Sequence, residues 1–306
     1  MLAGGVGAAR LLRGLHSLLE PRQLTIIGNT GDDDTFFGLH VAPDLDTVVY
    51  TLAGRVAPQY GWGVRNDRFA CLDALGRYYA DTWFQLGDAD LATHIFRTDA
   101  LRHGQSLSAV TRAIAAAHGL KITLLPMSDE PVRTFIHVDG RGALPFQAYL
   151  VKGRGRGRVR KIEFRGARRA SPAPGVLRAI RTADIVVLPP SNPLVSIGPI
   201  LSLAGVRHAL RTTRARIAAI SPIVAGMAIK GPLHRMLRAL GREVSPVGVA
   251  QLYKDFVDAF VIDRRDAQHA ARIRALGMRV VVTETIMSTP AKSRALAAAV
   301  LQEVSA

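Results

Sequence analysis

The sequence predicts an α/β fold: a Rossmann-like, mostly parallel sheet with helices on both faces and a smaller helical or mixed insertion. Short apolar runs alternate along the chain with segments of helical periodicity, which is typical of strands joined by helices. Polar, glycine-rich segments follow several apolar runs, whereas the connections that lead back into those runs are plain. With 306 residues the chain is long enough to bury a sizeable core.

The predicted elements follow one another in order. Little sequence precedes Gly4, so we expect either a very short opening strand or a natural chain that begins upstream of Met1. Leucines at helical spacing predict an amphipathic helix of about 12 residues after Gly7, and residues 24–27 form a β-rich run. Further strands are predicted at residues 121–125, 185–188, 217–220, 260–262 and 279–282, and helices at 106–118, 174–182, 205–213, 232–240 and 266–276.

The composition is that of an ordinary globular protein except for its charge. Hydrophobic residues make up 48% and charged residues 21%, which excludes a disordered chain, a coiled coil and a collagen-like repeat. The formal net charge of +16 indicates an anionic partner without specifying its class. Cys71 is the single cysteine, which excludes a disulfide framework, and its apolar neighbours predict that it is buried.

Two features bear on location. No apolar stretch approaches the roughly 20 residues of a membrane span, and no signal peptide is visible, so we expect a cytoplasmic protein without a membrane partner.

Residues 152–169 hold nine basic residues against one acid. We interpret this run as a solvated surface loop or hairpin edge, with a dedicated anion-binding segment as the alternative.

The chain opens with a glycine cluster at the start of a predicted helix. Gly4, Gly5 and Gly7 would let the backbone approach a phosphate, for which a helix N-terminus supplies N–H donors. The pattern is neither a Walker A sequence nor a complete GxGxxG. A tight strand-to-helix turn explains the cluster equally well.

Acidic and amide residues follow several predicted strands or open predicted helices. The carboxyl ends of parallel strands share one edge of a sheet, so these residues favour a ligand crevice there, although turn and cap roles suit the same residue types. Asp44 and Asp46 are spaced to hold a hard cation such as Mg²⁺. The segments are the acids of residues 32–34, Asp44, Asp46, Asn66, Asp67, Asp88, Asp90, residues 128–134, Ser191, Asn192, Ser196 and Gly198.

The motifs, taken together and in this order, resemble one family. They are GGVGAARLLRGL, NTGDD, PDLDTVVYTLAG, WGVRND, LGDADLATHIFRT, LPMSDEPVRT, PPSNPLVSIGPI, SPIVAG, KGP and YKDFVDAFVID. The chain is similar over nearly its whole length to the 2-phospho-L-lactate transferase and phosphoenolpyruvate transferase family of coenzyme F420 biosynthesis. The resemblance implies transfer of a phospholactyl, phosphoenolpyruvyl or phosphoglyceryl group from a guanosine diphosphate ester to the terminal ribityl hydroxyl of the deazaflavin Fo. GMP leaves, and F420-0 or its dehydro form results.

The resemblance also implies roles for individual residues. Asp46, Asp44 and Asp67 are the expected catalytic residues, with Asp44 and Asp46 holding Mg²⁺ or the Fo hydroxyl. Asp46, Asn66 and Asp88 are expected at Fo. The expected nucleotide-binding residues are Gly4, Gly5, Gly7, Ser191, Asn192, Ser196 and Gly198. The resemblance implies a single domain over residues 1–306, with a helical insertion at about residues 50–120 that forms part of the Fo site. It also implies a homodimer.

Two other classes of function stay open. A nucleotide-sugar-binding regulatory protein of the same superfamily would share the glycine-rich opening and an acidic loop, but the PDLDT, MSDEPVRT and PSNPLVSIGPI stretches favour the transferase. A nucleic-acid-binding protein is suggested by charge alone, and it would show binding that falls steeply with salt. With no zinc finger, helix-turn-helix or RNA-binding aromatic motif in the sequence, we expect no nucleic-acid partner.

Overall fold

A computed structural model describes residues 1–305, with side chains for residues 1–303. The strands are β1 (Leu2–Ala3), β2 (Thr25–Gly28), β3 (Asp34–Phe36), β4 (Leu39–Val41), β5 (Thr123–Pro126), β6 (Arg133–Val138), β7 (Gly142–Pro145), β8 (Val159–Arg165), β9 (Ile185–Leu188), β10 (Arg216–Ile220), β11 (Ile223–Val224), β12 (Met227–Ala228), β13 (Ala259–Asp263) and β14 (Arg279–Thr283).

The α-helices alternate with these strands. They are α1 (Gly5–His16), α2 (Pro43–Leu52), α3 (Ala70–Leu75), α4 (Asp88–Arg102), α5 (Leu107–Ala117), α6 (Val176–Thr182), α7 (Gly198–Ser202), α8 (Val206–Thr212), α9 (Leu233–Ala239), α10 (Pro246–Ala250), α11 (Ala270–Arg274) and α12 (Pro290–Ser305). Short 3₁₀ turns occur at Pro21–Gln23 and Arg264–His269, and a π-helical turn at Ala148–Lys152. The predicted strands and helices are present with small differences at their ends, except that the helix predicted at residues 266–276 is divided between the 3₁₀ turn Arg264–His269 and α11.

The central feature is a pair of parallel sheets that lie side by side. One has the order β5-β2-β1 and the other the order β9-β10-β13-β14, and every pairing within them is parallel. Strand β1 lies beside β9, so the two sheets continue one another. The chain first adds strands on one side of β1 and then returns to add the rest on the other side. Such a reversal of strand order is the place where open α/β sheets bind ligands.

Helices cover both faces of the sheet. Successive strand residues point to opposite sides, so each face carries apolar side chains that a helix must bury. Ile26 belongs to an apolar cluster with α1, α2 and α5, whereas its neighbour Ile27 belongs to the cluster that includes α6 and α8. Helix α12 packs on α1 and covers β10 and β13. The predicted fold class, a mostly parallel sheet with helices on both faces, is confirmed.

A small antiparallel sheet was not predicted from the sequence. Its order is β7-β6-β8, and β8 falls within the basic run of residues 152–169. Residues 153–155 form a turn, residues 156–158 are irregular, and among the described residues β8 pairs only with β6 and is therefore an edge strand. Arginines on an edge strand discourage pairing with other chains. The run is therefore both surface loop and sheet edge, as one of the two interpretations predicted.

The predicted insertion at residues 50–120 contains the end of α2, irregular stretches and helices α3, α4 and α5. Its last helix, α5, packs on β5 as part of the main layers. The prediction that Cys71 is buried is wrong, because its side chain is exposed. On the short helix α3, Leu72 is the residue that faces inward, and Cys71 lies beside it on the open face. Among the described residues no helix is both long enough and apolar enough to cross a bilayer.

Candidate active site

A cleft of about 600 Å³ opens at the carboxyl ends of β1 and β9, where the strand order reverses. The first turns of α1 and α2 form its floor, and the loop after β9 forms one wall. Aromatic residues 83–84 and the segment 229–233 complete it. The cleft is large enough for two small molecules side by side, since single-ligand sites begin at about 300 Å³.

The glycine loop fits tightly against the loop after β9. A side chain on Gly7 would collide with the carbonyl oxygen of Pro190, and one on Gly4 would overlap Ser196. Gly5 has a φ of +71°, a conformation that favours glycine. The hydroxyl of Ser191 donates to the carbonyl oxygen of Gly4 at 2.6 Å. The glycines therefore bring two loops together at the N-terminus of α1, where the helix dipole favours an anion.

The other residues predicted at the nucleotide divide into two groups. Ser191, Asn192 and Ser196 line the cleft. Asn192 shapes its own loop, because its Oδ1 accepts from the backbone N–H of Leu194 at 2.9 Å. Gly198 begins α7 and packs against the ring of Phe164, and it is outside the cleft lining.

Asp44 ties the glycine loop to the acidic loop after β2. Its Oδ1 accepts from the backbone N–H of Gly5 at 2.7 Å, and its Oδ2 accepts from Asn29 Nδ2 at 2.8 Å. Burial raises the pKa of Asp44 to about 6, against the lowering effect of these hydrogen bonds. The carboxylate therefore lies in a fixed position at the cleft floor.

Asp32 is a second carboxylate of the cleft floor. Its side chain is buried, and its Oδ1 has no hydrogen-bond partner among the described residues. Burial raises its pKa well above the usual range, and the negative charge of Asp44 raises it further. Two desolvated carboxylates that repel each other fit a magnesium ion, which typically takes one or two carboxylates together with substrate phosphates.

Asp46 has a different environment from Asp44, although both lie in the first turn of α2. The guanidinium of Arg97, on α4, donates from both Nη atoms to the two carboxylate oxygens of Asp46. His94 and Asp90, one and two turns earlier on α4, share the face that carries Arg97. Asp46, Asp90 and His94 all line the cleft. Since Arg97 balances its charge, Asp46 is a poorer cation ligand than Asp44.

Asp67 and Asp88 cap helices in this structure. Asp67 accepts from the backbone N–H groups of Ala89 and Asp90, at 2.8 and 3.0 Å, at the start of α4. Asp88 accepts in turn from the first N–H groups of α3, at 3.2 and 3.0 Å. Asn66, with a φ of 56°, precedes Asp67 in this turn. These three residues are outside the cleft lining, and the structure does not bring them together with Asp44 and Asp46.

An aromatic wall, which we define as Trp83 and Phe84, lines the cleft. Trp62 also lines the cleft, but its neighbour Gly61 lies against Val6 of the glycine loop. Trp83 meets Phe84 edge to face at a centroid distance of 5.6 Å. Phe36 stacks on Phe84 at 3.7 Å from behind. A flat, partly apolar ligand would find ring faces here. Trp83 and Phe84 had no predicted role, although two adjacent aromatic residues in a chain with 6% aromatic content are a signal.

Two cations line the cleft near the glycine loop. Arg10 lies on α1, and Lys230 follows β12. Lys230 Nζ donates to the carbonyl oxygen of Tyr60, and burial, followed by the charge of Arg10, lowers the pKa of Lys230. The cleft thus has a basic side beside the helix N-terminus and an acidic floor. Both residues lie within motifs that carry the family resemblance, but no role was assigned to either from the sequence.

The chain is similar to known proteins over nearly its whole length. Residues 1–299 match the family described as 2-phospho-L-lactate transferase CofD. A phosphoenolpyruvate transferase of Streptomyces griseus is 42% identical over 99% of this chain and 96% of its own length. A 2-phospho-L-lactate transferase of Methanosarcina mazei is 37% identical over 99% of both chains.

A solved structure shares the fold at low sequence identity. A UPF0052 family protein of Bacillus halodurans superposes with a TM-score of 0.67 over 98% of this chain and 97% of its own, at 15% identity. At that identity the likeness concerns the fold alone. The match to the family and the identity to its relatives extend over nearly the whole chain, and the chain therefore belongs to the 2-phospho-L-lactate transferase CofD family.

Proposed function

We propose that this protein is a transferase of coenzyme F420 biosynthesis. It transfers a phospholactyl, phosphoenolpyruvyl or phosphoglyceryl group from a guanosine diphosphate ester to the terminal ribityl hydroxyl of Fo, and it releases GMP. The names of its relatives include a phosphoenolpyruvate transferase and a 2-phospho-L-lactate transferase, so they support the transfer and leave the three-carbon acid open. These names also favour the transferase over a regulatory protein that binds nucleotide sugars.

The observation that carries the proposal is the composition of the cleft. The N-terminus of α1, Arg10 and Lys230 suit a diphosphate. The aromatic wall suits a deazaflavin ring. Carboxylates line the same cleft. A reaction that joins a phosphorylated donor to an aromatic acceptor needs these three parts within one cleft.

Magnesium is part of the proposal. Asp32 and Asp44 would hold the ion, because Asp32 has an unpartnered buried oxygen and the two carboxylates repel each other. When bound, the ion would neutralise charge on the diphosphate and on the departing GMP. We assign Asp46 to the acceptor instead, since its fixed carboxylate can accept a hydrogen bond from the attacking hydroxyl.

The proposed reaction needs no covalent intermediate. The ribityl oxygen forms a bond to the phosphorus that carries the three-carbon acid, and the bond from that phosphorus to the bridging oxygen of the diphosphate breaks. GMP leaves with the bridging oxygen, and the hydroxyl loses its proton to Asp46 or to solvent. Catalysis of this kind depends mainly on positioning and charge neutralisation, which a preformed cleft with fixed carboxylates supplies.

The proposed function is tested by identifying the reaction product. Purified protein would be supplied with Fo, Mg²⁺, GTP, a guanylyltransferase that forms the donor, and 2-phospholactate, phosphoenolpyruvate or 2-phosphoglycerate in separate reactions. We expect a deazaflavin phosphodiester from at least one acid, identified by mass spectrometry, with GMP in equal amount. If no acid gives such a product, the proposed function is wrong. We also propose that the protein is a cytoplasmic homodimer, which light scattering on the purified protein would test for assembly.

A further inference from the structure

We propose that His94 is a further binding residue for the acceptor, which donates a hydrogen bond from Nε2 to a hydroxyl of a polyol chain. This inference rests on the proposed function, because it concerns how the same cleft recognises Fo. His94 lines the cleft on α4, and its residue is 1% exposed. Buried polar atoms normally have partners, so an unpartnered one in a cleft indicates where a ligand binds.

Arg97 determines which ring nitrogen of His94 carries the proton. Its Nη1 lies 3.2 Å from His94 Nδ1. A guanidinium can only donate hydrogen bonds, so Nδ1 must accept, and the proton of the neutral ring is on Nε2. A second proton on Nδ1 would face the guanidinium N–H directly. Arg97 is therefore a positioning residue that keeps His94 as an N–H donor.

The Nε2 atom has no partner for that proton. Asp90 Oδ1 lies 3.3 Å away, longer than the about 2.7–3.2 Å of an ordinary N–H···O hydrogen bond, and Nε2 has no hydrogen bond to any described residue. Asp90 Oδ1 already accepts from the hydroxyl of Tyr50 at 2.7 Å. The donor is therefore available to a molecule in the cleft.

The surroundings of His94 select a hydroxyl over a phosphate. Asp46 and Asp90 lie on either side of the ring, with carboxylate oxygens 3.7 and 3.3 Å from its nitrogens. A phosphate here would meet two carboxylates, whereas a hydroxyl can give its proton to a carboxylate and accept from Nε2 with the same oxygen. In Fo the groups of this chemistry are the ribityl hydroxyls, which would lie between the aromatic wall and the diphosphate.

Two fluorescent probes separate this contact from general packing. One is Fo, and the other is the 10-methyl analogue of its ring, which has no hydroxyl chain. The titrations would use the full chain as wild type, His94→Ala, His94→Gln and Arg97→Lys. His103→Gln is the matched control, because His103 ends the same helix and its side chain is exposed. Thermal unfolding would identify variants that do not fold.

We expect His94→Ala to weaken Fo binding about tenfold, the usual effect of losing one ligand hydrogen bond in a buried site. Binding of the 10-methyl analogue and of GDP should not change. His94→Gln, which keeps an N–H donor, should recover most of the affinity, and Arg97→Lys should behave like His94→Ala. An equal loss for both probes, or no loss for Fo, would overturn the inference. If the wild type binds neither probe, the proposed function itself fails.

Discussion

Arg97 donates from both ends of its guanidinium to the two carboxylate oxygens of Asp46, across 51 residues of sequence and at the buried floor of the cleft. The pair joins α4 to α2. A buried pair of this kind contributes little compared with apolar packing, but removing one partner leaves the other charge uncompensated. The pair therefore couples the position of a cleft carboxylate to the stability of the fold.

Breaking this pair should be costly. We expect Arg97→Met to lower the free energy of unfolding by about 3–5 kcal/mol, measured by urea denaturation. Asp46→Asn should also destabilise, and the double variant should lose less than the sum of the two. The exposed pair of Arg272 and Glu243 is the control, for which Arg272→Met should cost less than about 1 kcal/mol. Additive losses at Arg97 and Asp46 would show that the pair is not coupled.

Stability should depend on the protonation of Asp44. Burial raises its pKa to about 6, so the folded protein holds this proton more tightly than the unfolded chain does. The resulting stabilisation is complete below about pH 4 and is lost as the pH rises through 6. Between pH 4 and pH 7, the unfolding free energy of wild type should therefore fall by about 2–3 kcal/mol relative to that of Asp44→Asn.

Asp263 is the control with the opposite sign. Despite its burial, hydrogen bonds from Arg265 and Thr285 lower the pKa of Asp263 to about 2. Its stabilisation is present above about pH 4 and is lost only in acid. The difference between Asp263→Asn and wild type should therefore be constant from pH 5 to 7. A constant difference for Asp44→Asn over that range would contradict the assignment of a raised pKa.

Magnesium should stabilise the protein through Asp32 and Asp44. We expect added Mg²⁺ to raise the melting temperature at pH 7.5 and to have a much smaller effect at pH 5, because protonated carboxylates bind the ion poorly. Asp32→Asn should abolish the shift and, in the transfer assay, the dependence of rate on Mg²⁺ concentration. Asp99→Asn changes an exposed acid on α4 and should leave both unchanged. A full Mg²⁺ shift in Asp32→Asn would show that the ion binds elsewhere.

The aromatic wall should serve the acceptor and not the donor. Replacing Trp83 by Ala removes a ring face from the cleft, so the KM for Fo should rise about tenfold while the KM for the donor changes less than twofold. Tyr78→Ala is the control, since Tyr78 is 82% exposed and outside the cleft lining. Equal changes in both KM values would show that Trp83 affects donor binding or the cleft as a whole, and not the acceptor alone.

The contact of Gly7 with Pro190 should tolerate no side chain. In Gly7→Ala the new methyl group would overlap the Pro190 carbonyl, which is backbone and cannot move aside. We expect a loss of about 1–3 kcal/mol in unfolding free energy and a weaker affinity for GDP, measured by calorimetry. Gly76→Ala adds a methyl group in right-handed helical backbone with only Asp73 O nearby, at 3.2 Å, and should be nearly neutral. Unchanged GDP affinity in a folded Gly7→Ala would argue against phosphate binding at this loop.

The parallel layers were predictable because they follow local rules. The strands and helices around the sheet carry the spacing of apolar residues that burial on both faces requires. The antiparallel sheet was not predicted, since Arg133–Val138 reads as an ordinary polar-apolar segment until its partners, β7 and β8, are known. Pairing between segments is a tertiary property, and turns alone do not reveal it.

The site was predictable only where its residues lie close together in sequence. Asp44 and Asp46 share one turn of α2, and the sequence could not show that Gly5 and Asn29 hold one while Arg97 holds the other. Asp67 and Asp88 have the residue type and glycine neighbours of site residues, yet they cap helices. The spacing of Asp90, His94 and Arg97 on one helical face was a signal that the sequence analysis did not use.

The most direct test is a crystal structure of the protein with GDP, Mg²⁺ and Fo. We expect the diphosphate at the backbone N–H groups that begin α1, with the deazaflavin ring against Trp83 and Phe84. We also expect the terminal ribityl hydroxyl between Asp46 and the phosphate nearest the acceptor. Both ligands outside the cleft between β1 and β9, or Fo bound away from the aromatic wall, would contradict the proposed site.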